Sequence, residues 1–288
     1  MARARDVDVD RGTFRHGGSV SESEWLDPWW DRFGHVGSAH AEYGARGADR
    51  AVALLAERCG SLLIAGCGCM PESHVRIAAG FDRVTCMDIS AAALDNAEHE
   101  LGTAASYRRE SIVNNALPDS LFEAVFCAHV IYHIDKDEQE TAIRQLVRVT
   151  RPGGRVVIVY YNPRSPLSIP GRVMRELKPR VDARRILRGG NVSSLPAQMY
   201  FYAHPLGWWQ RFTVECNVAF IPWSVIGSRP ARALLWGDRM TAAFFNAAIW
   251  FETKTPRAAV RLWQYPIVVL DKKSRTTGDS PDDDHGIS

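Results

Sequence analysis

Between residues 47 and 161, short apolar runs alternate with amphipathic segments, each divided from the next by turn residues. A strand, a helix and a strand in succession need a crossover connection, so this rhythm predicts βαβ units around a parallel sheet. Residues 61–65 read as the first strand, 83–87 as the second, 106–109 as a short third and 124–128 as a fourth; the wholly apolar run 156–160 is the fifth. Helices are predicted over 49–57 with Asp49 as N-cap, over 72–79, and from the Ser90 cap to residue 101. Another opens behind Asp135 and Glu138, which have capping-box spacing, and turns Ile143, Leu146 and Val147 inward. Arg151-Pro152-Gly153-Gly154 stops it.

Beyond residue 161 the rhythm changes. Residues 163–213, rich in Pro, Arg and aromatics, predict a lid inserted between a core at 49–162 and a closing strand–helix–strand at 214–272. Within that closing unit the expected strands are 214–221 and 262–270, with a helix over 229–251. Residues 21–48 read as a helical arm, and 1–20 and 273–288 as disordered tails.

Composition narrows the function classes. At 46% apolar and 24% charged the chain is an ordinary globular one, and a formal charge of +2 gives no footprint for a polyanion, so no nucleic-acid partner is expected. None of the six cysteines forms a C-x-x-C pair, which argues for a reducing compartment and against a disulfide framework or structural zinc. No other ligand cluster points to a metal. The N-terminus lacks the apolar region of a signal peptide, and the most apolar helical stretch, 241–251, is far short of the ~20 residues that span a bilayer. A cytoplasmic protein with no membrane partner is expected, and a homodimer is compatible with the sequence.

The first strand runs into Ile64-Ala65-Gly66-Cys67-Gly68-Cys69-Met70, where two glycines let backbone approach a ligand closely. Twenty residues after Gly68, Asp88 stands at the tip of the second strand, placed to accept from ribose hydroxyls. The dinucleotide fingerprint fails, because its third glycine would fall on Pro71. Three further segments follow in order: Glu110-Ser111-Ile112 with Leu117-Pro118 and Phe122-Glu123, then Cys127-Ala128-His129-Val130-Ile131-Tyr132-His133-Ile134, then Leu146-Val147-Arg148-Val149-Thr150-Arg151-Pro152-Gly153-Gly154. Together with Ile64 to Gly68 and Met87-Asp88-Ile89-Ser90, this ordered set resembles the class I S-adenosylmethionine-dependent methyltransferases over roughly residues 45–165 and the closing strand pair. The resemblance implies an α/β fold, a Rossmann-like sheet of seven strands with the last antiparallel, carrying the N-terminal arm and the inserted helical, aromatic lid. It implies S-adenosylmethionine as cofactor and S-adenosylhomocysteine as product. Gly66, Cys67 and Gly68 would lie against the methionyl moiety and Asp88 against the ribose, while Ile89 and Ile112 would flank the adenine, with Ser111 and Ala128 completing the pocket. Three positions depart from the family: Ile64 replaces an acid, Met70 a third glycine, and Ser111 an Asp that contacts the adenine amino group. A lost hydrogen bond to a charged group costs about 1.5–3 kcal/mol, one to two decades of affinity.

Ligands of an open α/β sheet sit beyond the carboxyl ends of its strands, which brings His129 and His133 after the fourth strand and Tyr160, Tyr161 and Asn162 after the fifth near the methyl donor. A histidine suits proton removal from an acceptor hydroxyl, and His129 is the first candidate base. For His133 the alternative is packing, or a hydrogen bond to the start of the helix at Asp135. Trp29, with Trp25, Trp30 and Phe33 around it, and Trp208, with Tyr200, Phe201, Tyr202 and Trp209, form two aromatic clusters. They read either as a lid over a lipophilic or planar acceptor or as a seam between arm and insert. Tyr161, His204 and Trp208 join Trp29 in the candidate acceptor pocket, with helix capping the alternative for His204. The basic run from Arg172 to Arg188 reads as an acceptor-anion site or as a solvated helix. The expected activity is methyl transfer to a small-molecule acceptor, first at oxygen of a lipophilic or aromatic metabolite. Nitrogen or carbon acceptors, a cofactor-binding enzyme that transfers no methyl, and a non-catalytic partner subunit are the alternatives.

Overall fold

The computed structural model describes residues 37–169 and 200–274, the side chains at 229, 232 and 233 aside. Expectations placed on 1–36, 170–199 and 275–288 lie outside the described residues. They include both tails, Trp25, Trp29, Trp30, Phe33 and the Arg172–Arg188 run.

A seven-stranded sheet is the frame: β1 (Ser61–Ala65), β2 (Arg83–Asp88), β3 (Ala105–Arg109), β4 (Phe122–Ala128), β5 (Thr150–Val159), β6 (Cys216–Ser224) and β7 (Tyr265–Lys272). They lie in the order β3-β2-β1-β4-β5-β7-β6. β1 to β5 are parallel, and β7 runs antiparallel to both β5 and β6. The central strands β1 and β4 are almost wholly buried because both faces of the sheet are covered there, with five buried residues out of five in β1, whereas the edge strand β3 is largely exposed. Alternation along each strand divides the core. Leu63, Val125, Cys127, Val156 and Ile158 face α4 (Gln139–Val149) and the turn Leu206–Phe212. Leu62, Ile64, Ala124, Phe126 and Val157 face α1 (Gly37–Leu55), α2 (Glu72–Ala78) and α3 (Ala91–Leu101). A third cluster, with Tyr43, Phe245 and Trp263, fastens α5 (Ser228–Leu234), α6 (Asp238–Lys254) and α7 (Pro256–Leu262) to α1. β1 and β4 are neighbours although chain order reverses between them, and such a switch point opens a crevice at the strands' carboxyl ends.

Several boundaries are corrected. Asp49 caps nothing: α1 runs unbroken across the expected division at 48/49, because Tyr43, Ala48, Ala51 and Leu55 continue one buried stripe. Asp49 faces outward and pairs with Arg76 at 2.6 Å. α4 starts at Gln139, and Asp135 only turns the chain into it, accepting from the amide of Asp137 at 3.0 Å. Residues 150–154 do not merely stop that helix; they enter β5 through a register shift opposite Phe122 and Ala124. The helix expected over 229–251 is two helices, divided at Gly237, whose φ of +77° suits glycine. The last strand starts at Tyr265, later than the expected 262, because α7, with Pro256 in its first turn, runs through Leu262.

Candidate functional site

The turn after β1 takes three left-handed residues: Gly66 at φ +74°, Gly68 at +55° and Met70 at +50°. The amide of Gly66 donates to Met87 across the sheet at 2.7 Å. A Cβ at position 66 would stand 2.3 Å from Cγ2 of Val130, so glycine here is a condition for the turn to meet the end of β4. Met70 holds the third glycine's conformation with a side chain only 3% exposed, packed among Cys67, Ile77, Ala93 and Phe126. The departure lies in the side chain and not in the course of the backbone.

Asp88 ends β2 with both carboxylate oxygens oriented: Oδ2 accepts from the amide of Gly68 at 3.1 Å, Oδ1 from that of Ser90 at 3.0 Å. Capping of α3 falls to Ser90, whose Oγ accepts from Ala93. Ile89 is 66% exposed beside this carboxylate, an apolar face that packing leaves uncovered, whereas Ile112 is buried. Ser111 turns its hydroxyl to the amide of Val113 at 3.3 Å. Cys67 sends its thiol into the core, 3.8 Å from the carbonyl of Ala93. The Cys86 thiol, and then burial, hold Cys67 well above the ordinary thiol range. What Cys67 offers a ligand is therefore backbone. Ala128, at the end of β4, is buried. An oriented carboxylate, an open glycine turn and an uncovered isoleucine suit the diol, the chain and the flat base of an adenosyl group.

His129 follows β4 at φ +63°, a strained backbone for a residue with a side chain, and its amide donates to Val159 at 3.1 Å. Nδ1 lies 2.9 Å from the hydroxyl of Tyr132. The ring stands edge-on to Tyr265 at 5.2 Å and to Trp223 at 6.2 Å. Solvent reaches the imidazole, yet protein surrounds it; that burial, and then His133, push its pKa down to about 4. Such a ring is neutral at physiological pH. His133 is tied elsewhere, with Nδ1 2.8 Å from the carbonyl of Tyr200 and the ring against Tyr132 and Phe201. Burial lowers its pKa too.

Tyr161 is 6% exposed and edge-on to Tyr265 at 5.4 Å and Phe201 at 5.0 Å, close to the His129 group. His204 and Trp208 stack on each other at 4.2 Å against α4, where Arg211 covers Trp208 and the amide of His204 donates to Tyr160. Their contacts run to Tyr160 and Lys136, not to His129. Asn162 is a latch, joining the backbone of Gln264, Arg261 and Trp263. Sequence reasoning passed over Tyr132, Trp223 and Tyr265. Tyr132 could have been found, three residues after His129 in one turn; the other two arrive from β6 and β7 and carry no local signal. A cavity of about 400 Å³ between Leu167, Val225, Phe244, Phe251 and Trp263 is wholly apolar and separate from these groups. Among the described residues no group of three or more His, Cys, Asp or Glu could hold a metal, and no helix is long and apolar enough to cross a membrane.

No curated protein matches the chain in sequence. The N-methyltransferase NodS of Bradyrhizobium japonicum WM9, solved with S-adenosyl-L-homocysteine, is similar in structure: TM-score 0.51 at 14% identity, over 87% of this chain and 95% of that one. The geranyl diphosphate C-methyltransferase of Streptomyces coelicolor A3(2) gives 0.48 at 15% identity, over 78% of this chain and 76% of that one. At 14% identity the likeness to NodS is one of fold. Residues 63–158 match the family model described as a methyltransferase domain. That stretch holds the glycine turn, Asp88 and His129, and over it the chain is similar to methyltransferase domains.

Proposed function

We propose that the enzyme methylates an oxygen of a lipophilic or aromatic small molecule, with His129 as general base. The observation that carries this reading is His129 itself: a neutral, solvent-reachable imidazole, held at Nδ1 by Tyr132 and walled by the rings of Trp223 and Tyr265. Bound S-adenosylmethionine supplies an electrophilic methyl group and a sulfide that leaves. The backbone of Gly66 to Gly68 accommodates its amino-acid end, Asp88 accepts from the ribose hydroxyls, and Ile89 and Ile112 bracket the adenine, with Ser111 and Ala128 beside it. With the Nδ1 proton directed at Tyr132, His129 keeps the lone pair of Nε2 for the acceptor's hydroxyl. It would take that proton as the acceptor oxygen receives the methyl group. Tyr161 and Tyr265 exclude water and give a flat acceptor an apolar face. His133 supports the site from behind Tyr132, and His204 with Trp208 closes the flank along α4.

The test is incubation of the protein with methyl-labelled cofactor and matched panels of phenols, amines and carbon acids, with product mass as the readout. Label appearing in phenols, and a His129→Asn variant slower by about a hundredfold with unaltered donor affinity, is the expected result. Label confined to amines or carbon acids would remove the oxygen assignment, and a full-speed His129→Asn variant would remove His129 from the chemistry.

A further inference from the structure

His74 has no part in the reading above, yet it stands in the first turn of α2, directly beyond the glycine turn. Its ring is 7% exposed and lies edge-on to Phe126 at 5.0 Å. Phe126 is the ladder partner of Ile64, and both point to the same side of the sheet. His74 therefore covers the side of the sheet that position 64 faces, near the glycine turn and the end of β4 that carries His129. Nδ1 is 3.3 Å from the hydroxyl of Ser73, and Nε2 meets no protein partner among the described residues. Nε2 is not closed off in the core: it keeps access to solvent, and so to a ligand that can donate to it. Burial, and then the proximity of His129, keep the ring neutral by lowering its pKa to about 3. With the proton on Nδ1 directed at Ser73, Nε2 is an acceptor.

The cofactor carries an α-ammonium at its amino-acid end, and position 64, on the side of the sheet that His74 covers, is a buried isoleucine with no charge to offer. Asp88 is already engaged by the amides of Gly68 and Ser90 at the ribose side, and Glu72 is exposed at the outer edge of the same turn. We propose that His74 is a cofactor-binding residue, receiving the α-ammonium of the donor at Nε2 and serving in this chain where position 64 has no acid. The proposal rests on the cofactor placement given above.

Calorimetric titration of the full chain with S-adenosylhomocysteine and with 5′-methylthioadenosine separates the two. The second ligand shares adenine, ribose and sulfur but lacks the amino-acid end. His74→Phe keeps a ring on Phe126 and removes both nitrogens. It is expected to bind S-adenosylhomocysteine about tenfold or more weakly with its affinity for methylthioadenosine unchanged, which also shows that the variant is folded. His74→Gln, whose carbonyl can reach the position of Nε2, is expected to recover much of the loss, and Glu72→Gln to leave both affinities as they were. Equal losses for the two ligands, or no loss for either, would overturn the role of His74. Failure of the unaltered protein to bind either ligand would overturn the cofactor placement, and the proposal with it.

Discussion

Met70 occupies a backbone conformation that costs a side-chain-bearing residue about 1 kcal/mol relative to glycine. Its own burial among Ile77, Ala93 and Phe126 offsets that cost, since truncating a buried Met removes about 2–5 kcal/mol. Met70→Gly should therefore relieve the strain and still destabilise the fold by about 2 kcal/mol, read as a lower urea midpoint with an unchanged slope. A more stable variant would show that the turn, and not the packing, limits this position. The case also marks what a single residue discloses in sequence. Gly66, Gly68, Asp88 and Ser90 each announce a local geometry through their chemistry, and each sits in the structure as that chemistry demands. Met70 announces nothing, because its left-handed backbone is imposed by the turn and stabilised by distant apolar neighbours. Ser111 is similar: only the course of the loop decides that its hydroxyl serves Val113.

Glu252 on α6 shows the same limit for a helix. The sequence marks it as one acid on an apolar segment, but its carboxylate is buried and accepts from Tyr43 and Arg50 of α1, and from the indole of Trp263 at 2.6 Å. Tyr43 in turn accepts from the amide of Val225 beyond β6, and its phenol is held above the usual range by burial and then by Glu252. One carboxylate thus binds α1, α6 and the approach to β7, which explains why the division expected at residue 48 falls inside a continuous helix. Glu252→Ala leaves Arg50 and two buried donors without their acceptor. A loss of about 3 kcal/mol or more is expected, seen as a fall in melting temperature of about 6–12 °C for a domain of this size. A shift within a degree or two would mean that solvent replaces the carboxylate. Strands β1 to β4 were legible almost to the residue because apolar runs between turn residues have few other uses. The break at Gly237 and the entry of residues 150–154 into β5 were not, since both depend on what packs against them.

His74, His129 and His133 gather at the carboxyl ends of the central strands, and burial lowers the pKa of all three. This arrangement links the chemistry to the stability of the entire fold. An unfolded histidine takes a proton near pH 6.5, whereas His74 in place resists protonation until about pH 3. Between those limits the unfolded chain binds more protons than the folded one, so stability is complete above pH 6.5 and declines as pH falls. For His74, whose ring is nearly closed off from solvent, the slope approaches about 1.4 kcal/mol per pH unit once the unfolded ring is fully charged. The two more accessible rings add in the same direction, with solvent screening their share. Carboxylates contribute below pH 5 as well, but they are common to the protein and to His74→Phe, and they cancel in the difference between them. Denaturant unfolding of both proteins from pH 7 to pH 4 should show the unaltered protein losing stability faster on acidification than the variant, because the variant has one histidine fewer to protonate on unfolding. Curves that stay parallel would show that His74 is protonated in the folded protein as readily as in the unfolded one, and would contradict the neutral ring on which its acceptor role depends.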